Sequence, residues 1–249
     1  MTKSQVDRLG ERLKVGKIDD ADLRMLDEYR RSYAIPYLEV IGNLRNGLGI
    51  EPTGRPAKST PSIIDKLRRE SIRLSQIQDV AGCRILVEDI NGQDIATKAI
   101  SQLYPNAVVI DRREHPSHGY RAVHVIVISV GKSIEIQVRT ALQQFWAEVS
   151  EKLSDLIDPR IKYGGGPGPA QNMLAMTSGI FARLEALERS IDLPPTAADD
   201  SLKPLIAGLA ELRKRNASPE TVAELLKTVR GAIMAEFRSE LEKLGRTQP

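Results

Sequence analysis

The chain has 249 residues, 41% of them hydrophobic, and a net charge of +3. That is enough for one good core, or a core with a helical appendage. The small charge excess excludes a general nucleic-acid coat, and the lack of a long apolar run excludes a membrane span.

The start, Met1 to Gln5, lacks the apolar stretch of a signal peptide, and the single cysteine, Cys83, cannot form an internal disulfide. A cytoplasmic protein is expected. Residues 1–18 read as loosely ordered. From Asp19, the residues Leu23, Leu26, Tyr29, Tyr33, Tyr37, Ile41 and Leu44 recur at helical spacing. Pro36 is expected to kink or split this helix. The three tyrosines read as a packing stripe, with Arg30 and Arg31 beside it, projecting outward.

Charge is uneven along the chain. Pro52 to Ser75 holds Arg55, Lys58, Lys66, Arg68, Arg69 and Arg73 against Asp65 and Glu70, six minus two or +4, more than the whole chain's excess. Such a stretch suits a polyphosphate or a nucleic-acid backbone. Ser62-Ile63-Ile64-Asp65 has capping-box form and is expected to open a helix. Lys58, Ser59 and Thr60 lie just before it, where backbone N–H groups and the helix dipole attract phosphate.

Asp79-Val80-Ala81-Gly82 leads into a strand at Cys83–Val87. Cys83 reads as a small buried hydrophobe. Asp89 to Leu103 reads as a helix and Ala107 to Ile110 as a short strand. A loop, Asp111 to His118, then delivers the chain to two Val- and Ile-rich strands broken at Gly131-Lys132-Ser133, a hairpin. In the second strand Ile134, Ile136 and Val138 share one face; Glu135, Gln137 and Arg139 share the other. With His124 on the neighbouring strand, the polar row is either the floor of a charged-ligand site or an ordinary solvent face. Ala141 to Leu156 is a helix with Phe145 and Trp146 in its core face.

The run Gly164 to Pro169 breaks the chain. Helices follow, one with Leu174, Ile180, Phe181 and Leu184 and a last one capped at Ser218-Pro219 with Val222, Leu226, Val229 and Ile233 as its stripe. The class is α+β. The segments are an N-terminal helical segment over 1–50, a core over 51–163 and a C-terminal helical extension over 170–249 packed on the core.

Two carboxylates near a basic helix start, Asp79 and Glu135, can hold Mg²⁺ against phosphate oxygens. Phosphoryl transfer needs little besides a metal, cations and alignment. The local strings carry this further. Arg55-Pro56-Ala57-Lys58 with Ser62 to Leu67 resembles the ATP-binding segment of the RelA/SpoT alarmone synthetases. Asp79 to Ile85 resembles their metal-binding Asp and the strand after it. Gly119-Tyr120-Arg121-Ala122-Val123-His124 is similar to their acceptor motif. Glu135-Ile136-Gln137-Val138-Arg139-Thr140 with Trp146-Ala147-Glu148 resembles the catalytic strand and the helix after it. The four strings occur in the family's order.

This resemblance implies a nucleotidyltransferase-like mixed sheet flanked by helices, and transfer of the β,γ-diphosphate of ATP to a ribose 3′-hydroxyl with AMP leaving. It implies that Arg55 and Arg84 sandwich adenine, that Lys58, Ser62 and Lys66 hold ATP phosphates and that Asp79 binds Mg²⁺. Glu135 would position or activate the hydroxyl and could share the metal. Tyr120 would stack on the acceptor base, and Arg121, His124, Gln137 and Arg139 would line the acceptor site. No upstream stretch is long enough for the family's hydrolase domain, so a stand-alone synthetase is expected.

One departure bears on the acceptor. Family members that make guanosine alarmones carry a basic residue shortly before Gly-Tyr-Arg; here the stretch is His115-Pro116-Ser117-His118. This resembles a toxic branch that pyrophosphorylates the tRNA 3′ end, with Arg30 and Arg31 as possible tRNA contacts and an antitoxin as possible partner. The expected acceptor is therefore tRNA ahead of GDP or GTP; the guanine nucleotides stay close behind, because His115 or His118 could replace the missing cation. An inactive nucleotide-binding regulatory module is the alternative of another class, and the intact Asp79 and Glu135 argue against it. The three histidines lack the spacing and further ligand of a zinc site.

Overall fold

The structure, a computed structural model, describes residues 1–16, residues 18–189 and isolated positions between 224 and 239. The predicted helices beyond Pro194 lie outside the described residues apart from those positions. The chain groups into two compact units, one of residues 1–86, 95–110 and 123–138, the other of residues 87–94, 111–122 and 139 onward.

The first unit begins with a helix, α1 (Lys3–Val15), where loose order was expected. The signals for it are present. Thr2 and Gln5 form a capping box, Gly16 closes the helix at φ 81°, and Val6, Leu9 and Leu13 are buried at three- and four-residue spacing. The Arg12 guanidinium bridges to Asp22 at 2.7 Å, tying α1 to α2 (Asp20–Arg31). The predicted long helix is split: α2 ends at Arg31 and α3 spans Ala34–Leu48. Pro36 sits in the first turn of α3, where no intrahelical N–H bond is lost. Tyr29 and Tyr33 are buried edge to face with their hydroxyls 2.9 Å apart, as a packing stripe requires.

Next come β1 (Thr53–Arg55), α4 (Thr60–Arg69), β2 (Ala81–Val87), α5 (Ile90–Leu103), β3 (Val108–Asp111), β4 (Val123–Ser129) and β5 (Lys132–Thr140). The strands form one five-stranded mixed sheet in the order β1-β2-β5-β4-β3. The expected α+β class, a sheet flanked by helices, is what the structure has. Helix α4 is capped three residues earlier than expected from Ser62. Ser59 is its cap, its hydroxyl accepting from the Ser62 N–H, and Pro61 lies in the first turn, which its fixed φ favours.

The β4–β5 hairpin turns on two residues, Val130 and Gly131, with φ of 46° and 72°. Positive φ at both is the requirement of a type I′ turn, whose twist matches the strands. The break is thus at 130–131, and Lys132 and Ser133 already belong to β5. Cys83 is buried, and burial pushes its thiol up to about 12, which makes it inert.

In the second unit, α6 (Ala141–Leu156) opens with a capping box of Thr140 and Gln143. It packs on α7 (Gly168–Arg189), with Phe145, Trp146, Val149, Leu174, Phe181 and Leu184 all nearly excluded from water. The Phe145 and Phe181 rings lie 6.1 Å apart. Trp146 is core, and its indole N–H donates to the Leu174 carbonyl at 2.8 Å. Among the described residues no helix is long and apolar enough to cross a membrane.

Candidate active site

In the first unit, Asp79 gathers the basic stretch around itself. Lys58 Nζ donates to one carboxylate oxygen at 2.6 Å and Lys66 Nζ to the other at 3.0 Å. Arg55 reaches the Asp79 carbonyl at 3.4 Å and stands 4.0 Å from the carboxylate. Burial opposes the charge on Asp79, but the two ammonium groups outweigh it and hold the carboxyl at about 2. Burial in turn lowers Lys58. Ser62 lies one turn before Lys66 on α4, its N–H and hydroxyl both bonded to the Ser59 hydroxyl. Asp79 therefore draws Arg55, Lys58 and Lys66 together, with Ser62 in the first turns of the same helix as Lys66.

Lys58 is also fixed through its backbone. Its N–H donates to the Val80 carbonyl at 2.6 Å, and its carbonyl accepts from Arg30 Nε at 2.8 Å. Arg30 was expected to project outward. Instead it spans α2 and the loop that carries Lys58, with a second contact to Asp27 at 3.4 Å. Arg31 does project outward, 81% exposed and paired with Asp27. Sequence reasoning missed the role of Arg30, because nothing local marks a contact between residues 28 positions apart.

Glu135, on the middle strand β5, is 9% exposed. A polar row open to water was one sequence reading of this face; the row is instead satisfied by side chains. His124 Nδ1 lies 2.9 Å from one Glu135 oxygen, and Gln137 Nε2 donates to the other at 2.7 Å. Burial and the Asp79 charge push the Glu135 carboxyl up; His124 and Gln137 outweigh them, and it stays below its usual value. The Asp79 charge thus contributes to the surroundings of Glu135. Gly82 lets β2, the strand that follows Asp79, run close to β5. A Cβ there would come within 2.6 Å of the Glu135 carbonyl oxygen, so only glycine lets β2 lie this close to β5.

The register of β1 with β2 pairs Thr53 with Arg84 and Arg55 with Gly82. Directly opposed residues share a face, so Arg55 and Arg84 are diagonal neighbours on one face of the sheet.

In the second unit, the acceptor motif starts in a tight turn. Ser117 and Tyr120 exchange backbone hydrogen bonds of 3.3 and 2.9 Å, and His118 and Gly119 between them have φ of 53° and 87°. A Cβ on Gly119 would stand 2.8 Å from the Trp146 ring, so the glycine lets the turn rest on the indole. Arg139 donates to the Tyr120 hydroxyl at 2.8 Å with its guanidinium 5.1 Å from the ring centroid, and to Gln144 at 3.0 Å. Arg121 donates to Glu185 at 2.6 Å. Thus Tyr120, Arg121 and Arg139 come together in the second unit, while His124 and Gln137 belong to the first. Glu185 was missed. The available signal was an acid on the buried stripe of α7, one turn after Phe181.

Magnesium fits the donor set. Mg²⁺ is commonly held by one or two carboxylates, with phosphate and water oxygens completing its shell. Asp79 and Glu135 supply two carboxylates, and among the described residues no group of three protein ligands forms a cage.

A family model described as "Region found in RelA / SpoT proteins" matches residues 54–154. The GTP pyrophosphokinase YjbM of Bacillus subtilis is 32% identical over 149 residues, 53% of this chain and 67% of that protein. An uncharacterized protein of Mycobacterium tuberculosis is 38% identical over 115 residues, 45% of this chain; the match spans only 42% of that relative's length. Among solved structures, the small alarmone synthetase 1 from Bacillus subtilis is similar at 28% identity and a TM-score of 0.49, over 64% of this chain and 93% of that one. The matched stretch contains both site carboxylates, the basic helix start and the acceptor motif, and the chain belongs to the RelA/SpoT family.

Proposed function

We propose that the protein is an ATP-dependent pyrophosphokinase that transfers the β,γ-diphosphate of ATP to a ribose 3′-hydroxyl. The observation that carries this reading is the pairing of the half-buried Asp79 with Lys58 and Lys66 in the same unit as a buried carboxylate, Glu135. Cations at a helix N-terminus suit a polyphosphate, and a carboxylate that remains ionised at neutral pH suits a hydroxyl that must lose its proton.

In the reaction, the 3′-oxygen attacks the β-phosphorus of ATP. The new O–Pβ bond forms as the bond between Pβ and the oxygen bridging to the α-phosphate breaks, and AMP leaves with that oxygen. Glu135 accepts the hydroxyl hydrogen bond and then the proton. Each of its oxygens has two acceptor positions, so the contacts to His124 and Gln137 leave room for the hydroxyl. Lys58, Ser62 and Lys66 hold the phosphates. Arg55 and Arg84 hold adenine between two guanidinium planes; diagonal neighbours in a sheet stand about 7–8 Å apart, the separation a flat ring between two cations needs. Asp79 and Glu135 would hold Mg²⁺, which when bound neutralises phosphate charge.

Two acceptors follow from different observations. A guanine nucleotide is favoured by the relative named a GTP pyrophosphokinase. The tRNA 3′ end is favoured by Ser117 and His118 standing where a basic residue would meet a 5′-polyphosphate. An antitoxin partner belongs to that second reading. The test is incubation with γ-labelled ATP and GDP, GTP or total tRNA. Label is expected on one acceptor class with wild-type protein and on none with Glu135→Gln. ATP binding without transfer to any acceptor would return the inactive regulatory module as the better reading.

A further inference from the structure

Glu185 lies outside all four sequence motifs, yet its carboxylate accepts from three different side chains. It is 1% exposed, on α7 directly after the buried Leu184 and one turn after the buried Phe181. It accepts from Arg121 NH1 at 2.6 Å, from the Thr140 hydroxyl at 2.5 Å and from Gln143 Nε2 at 3.0 Å. Each donor lies in a segment with a role already described: the acceptor motif, the end of β5 and the first turn of α6. Gln143 continues the network to Gln93, fully buried, at 2.8 and 3.2 Å.

A buried carboxylate is costly to desolvate, and an apolar side chain at this helix position would pack as its neighbours do. A charge kept there needs a partner that uses it. Arg121 is that partner. Its NH1 is committed to Glu185, and its buried Nε has no hydrogen-bond partner among the described residues, so the carboxylate sets the direction of the guanidinium.

We propose that Glu185 is a positioning residue of the acceptor site: it aims Arg121 and, through it, holds the Gly119–Ala122 stretch in the shape that receives the acceptor. This rests on the reading of Arg121 as an acceptor-site residue. It also gives α7 a part in acceptor binding, although α7 follows the family's matched region.

The test uses Glu185→Gln, which keeps shape and removes charge, and Glu185→Asp, which keeps charge and shortens the reach. KM is measured for ATP and for GDP, GTP and total tRNA, and amide hydrogen exchange is followed in the full chain. Glu185→Gln should raise the acceptor KM about tenfold or more, the scale of a lost charge-assisted hydrogen bond, and leave the ATP KM unchanged. Exchange should quicken across 119–122 and stay unchanged across 58–66. In an Arg121→Ala background the same substitution should add nothing to the acceptor KM. If Glu185→Gln does not fold, Glu185→Asp should show the same split at smaller size. Equal rises in both KM values, or an unchanged acceptor KM, overturn the proposal, since a merely structural staple would not separate the substrates. If the wild-type protein labels none of the three acceptors, the functional reading fails, and exchange alone decides the role of Glu185: unchanged rates across 119–122 overturn it.

Discussion

His124 Nδ1 and Glu135 Oε1 meet at 2.9 Å on the diagonal of the β4–β5 hairpin, because the register sets His124 directly opposite Gln137. Both neighbours therefore converge on one carboxylate, and the two-residue turn at Val130-Gly131 fixes the register that brings them there. A shift of one residue would turn Glu135 to the opposite face.

Glu135→Gln should abolish diphosphate transfer. The amide keeps one acceptor oxygen and cannot take a proton, so the fold should survive with a loss of about 1 kcal/mol. Turnover and thermal unfolding, measured on the same preparation, check both parts. Near-normal turnover in a folded variant would falsify the catalytic role of Glu135.

Asp79→Asn should also stop transfer, and it should cost stability, because Lys58 and Lys66 lose a half-buried counter-ion. The Asp79 carboxyl is held at about 2, below the 3.8 of a free aspartate. Its contribution, about 2 kcal/mol, is therefore fully present above the unfolded value and is lost as pH falls through the folded one. Denaturant unfolding of wild type and variant should differ most at neutral pH and converge between about pH 4 and pH 2. A gap independent of pH across that window would show that the two lysines do not set the Asp79 charge.

Arg55→Ala and Arg84→Ala should each raise the KM for ATP, by an amount equivalent to roughly 0.5–2 kcal/mol of lost cation–π contact. The acceptor KM should not move. Unchanged ATP saturation in both variants would place adenine elsewhere.

Arg30 and Arg31 separate two roles. Arg30 holds the Lys58 carbonyl, so Arg30→Ala should raise the KM for ATP. Arg31, exposed and paired with Asp27 along its own helix, should leave ATP kinetics unchanged when replaced by Ala. If these arginines grip tRNA, each replacement should reduce the salt dependence of tRNA binding by a slope of roughly 0.7–0.9. An Arg30→Ala variant with normal ATP saturation would remove the supporting role.

Ser117 is exposed, and its contacts in the turn are made by its backbone. Ser117→Lys should therefore fold normally. It should favour GDP and GTP by supplying a cation for their 5′-phosphates and do little for tRNA. Competition between labelled acceptors gives the ratio directly, and an unchanged ratio would mean that the 5′-phosphates lie away from this turn.

Much of this protein is legible along the chain. Alternating Ile134, Ile136 and Val138, the helical spacing of Leu26, Tyr29 and Tyr33, and the Gly-rich break after residue 163 each report a local periodicity or a local conformational need, so strands, helices and breaks follow from the sequence. The motif strings named the family for the same reason: they are short and contiguous. Local reading erred where two local signals competed. Ser59 and Ser62 both look like caps, and only the pairing of the Ser59 hydroxyl with the Ser62 N–H decides between them. It also passed over α1, whose apolar residues are few and whose burial depends on the later elements that it meets, such as Leu74, against which Gly10 packs. What only the tertiary structure decided are contacts between residues far apart in the chain. The sequence could nominate Asp79, Lys58, Arg30, Arg121 and Glu185 as charges. Which of them are buried, and which pair with which, depends on desolvation and on distances of a few ångströms, and those are fixed only when strands take their register and helices pack.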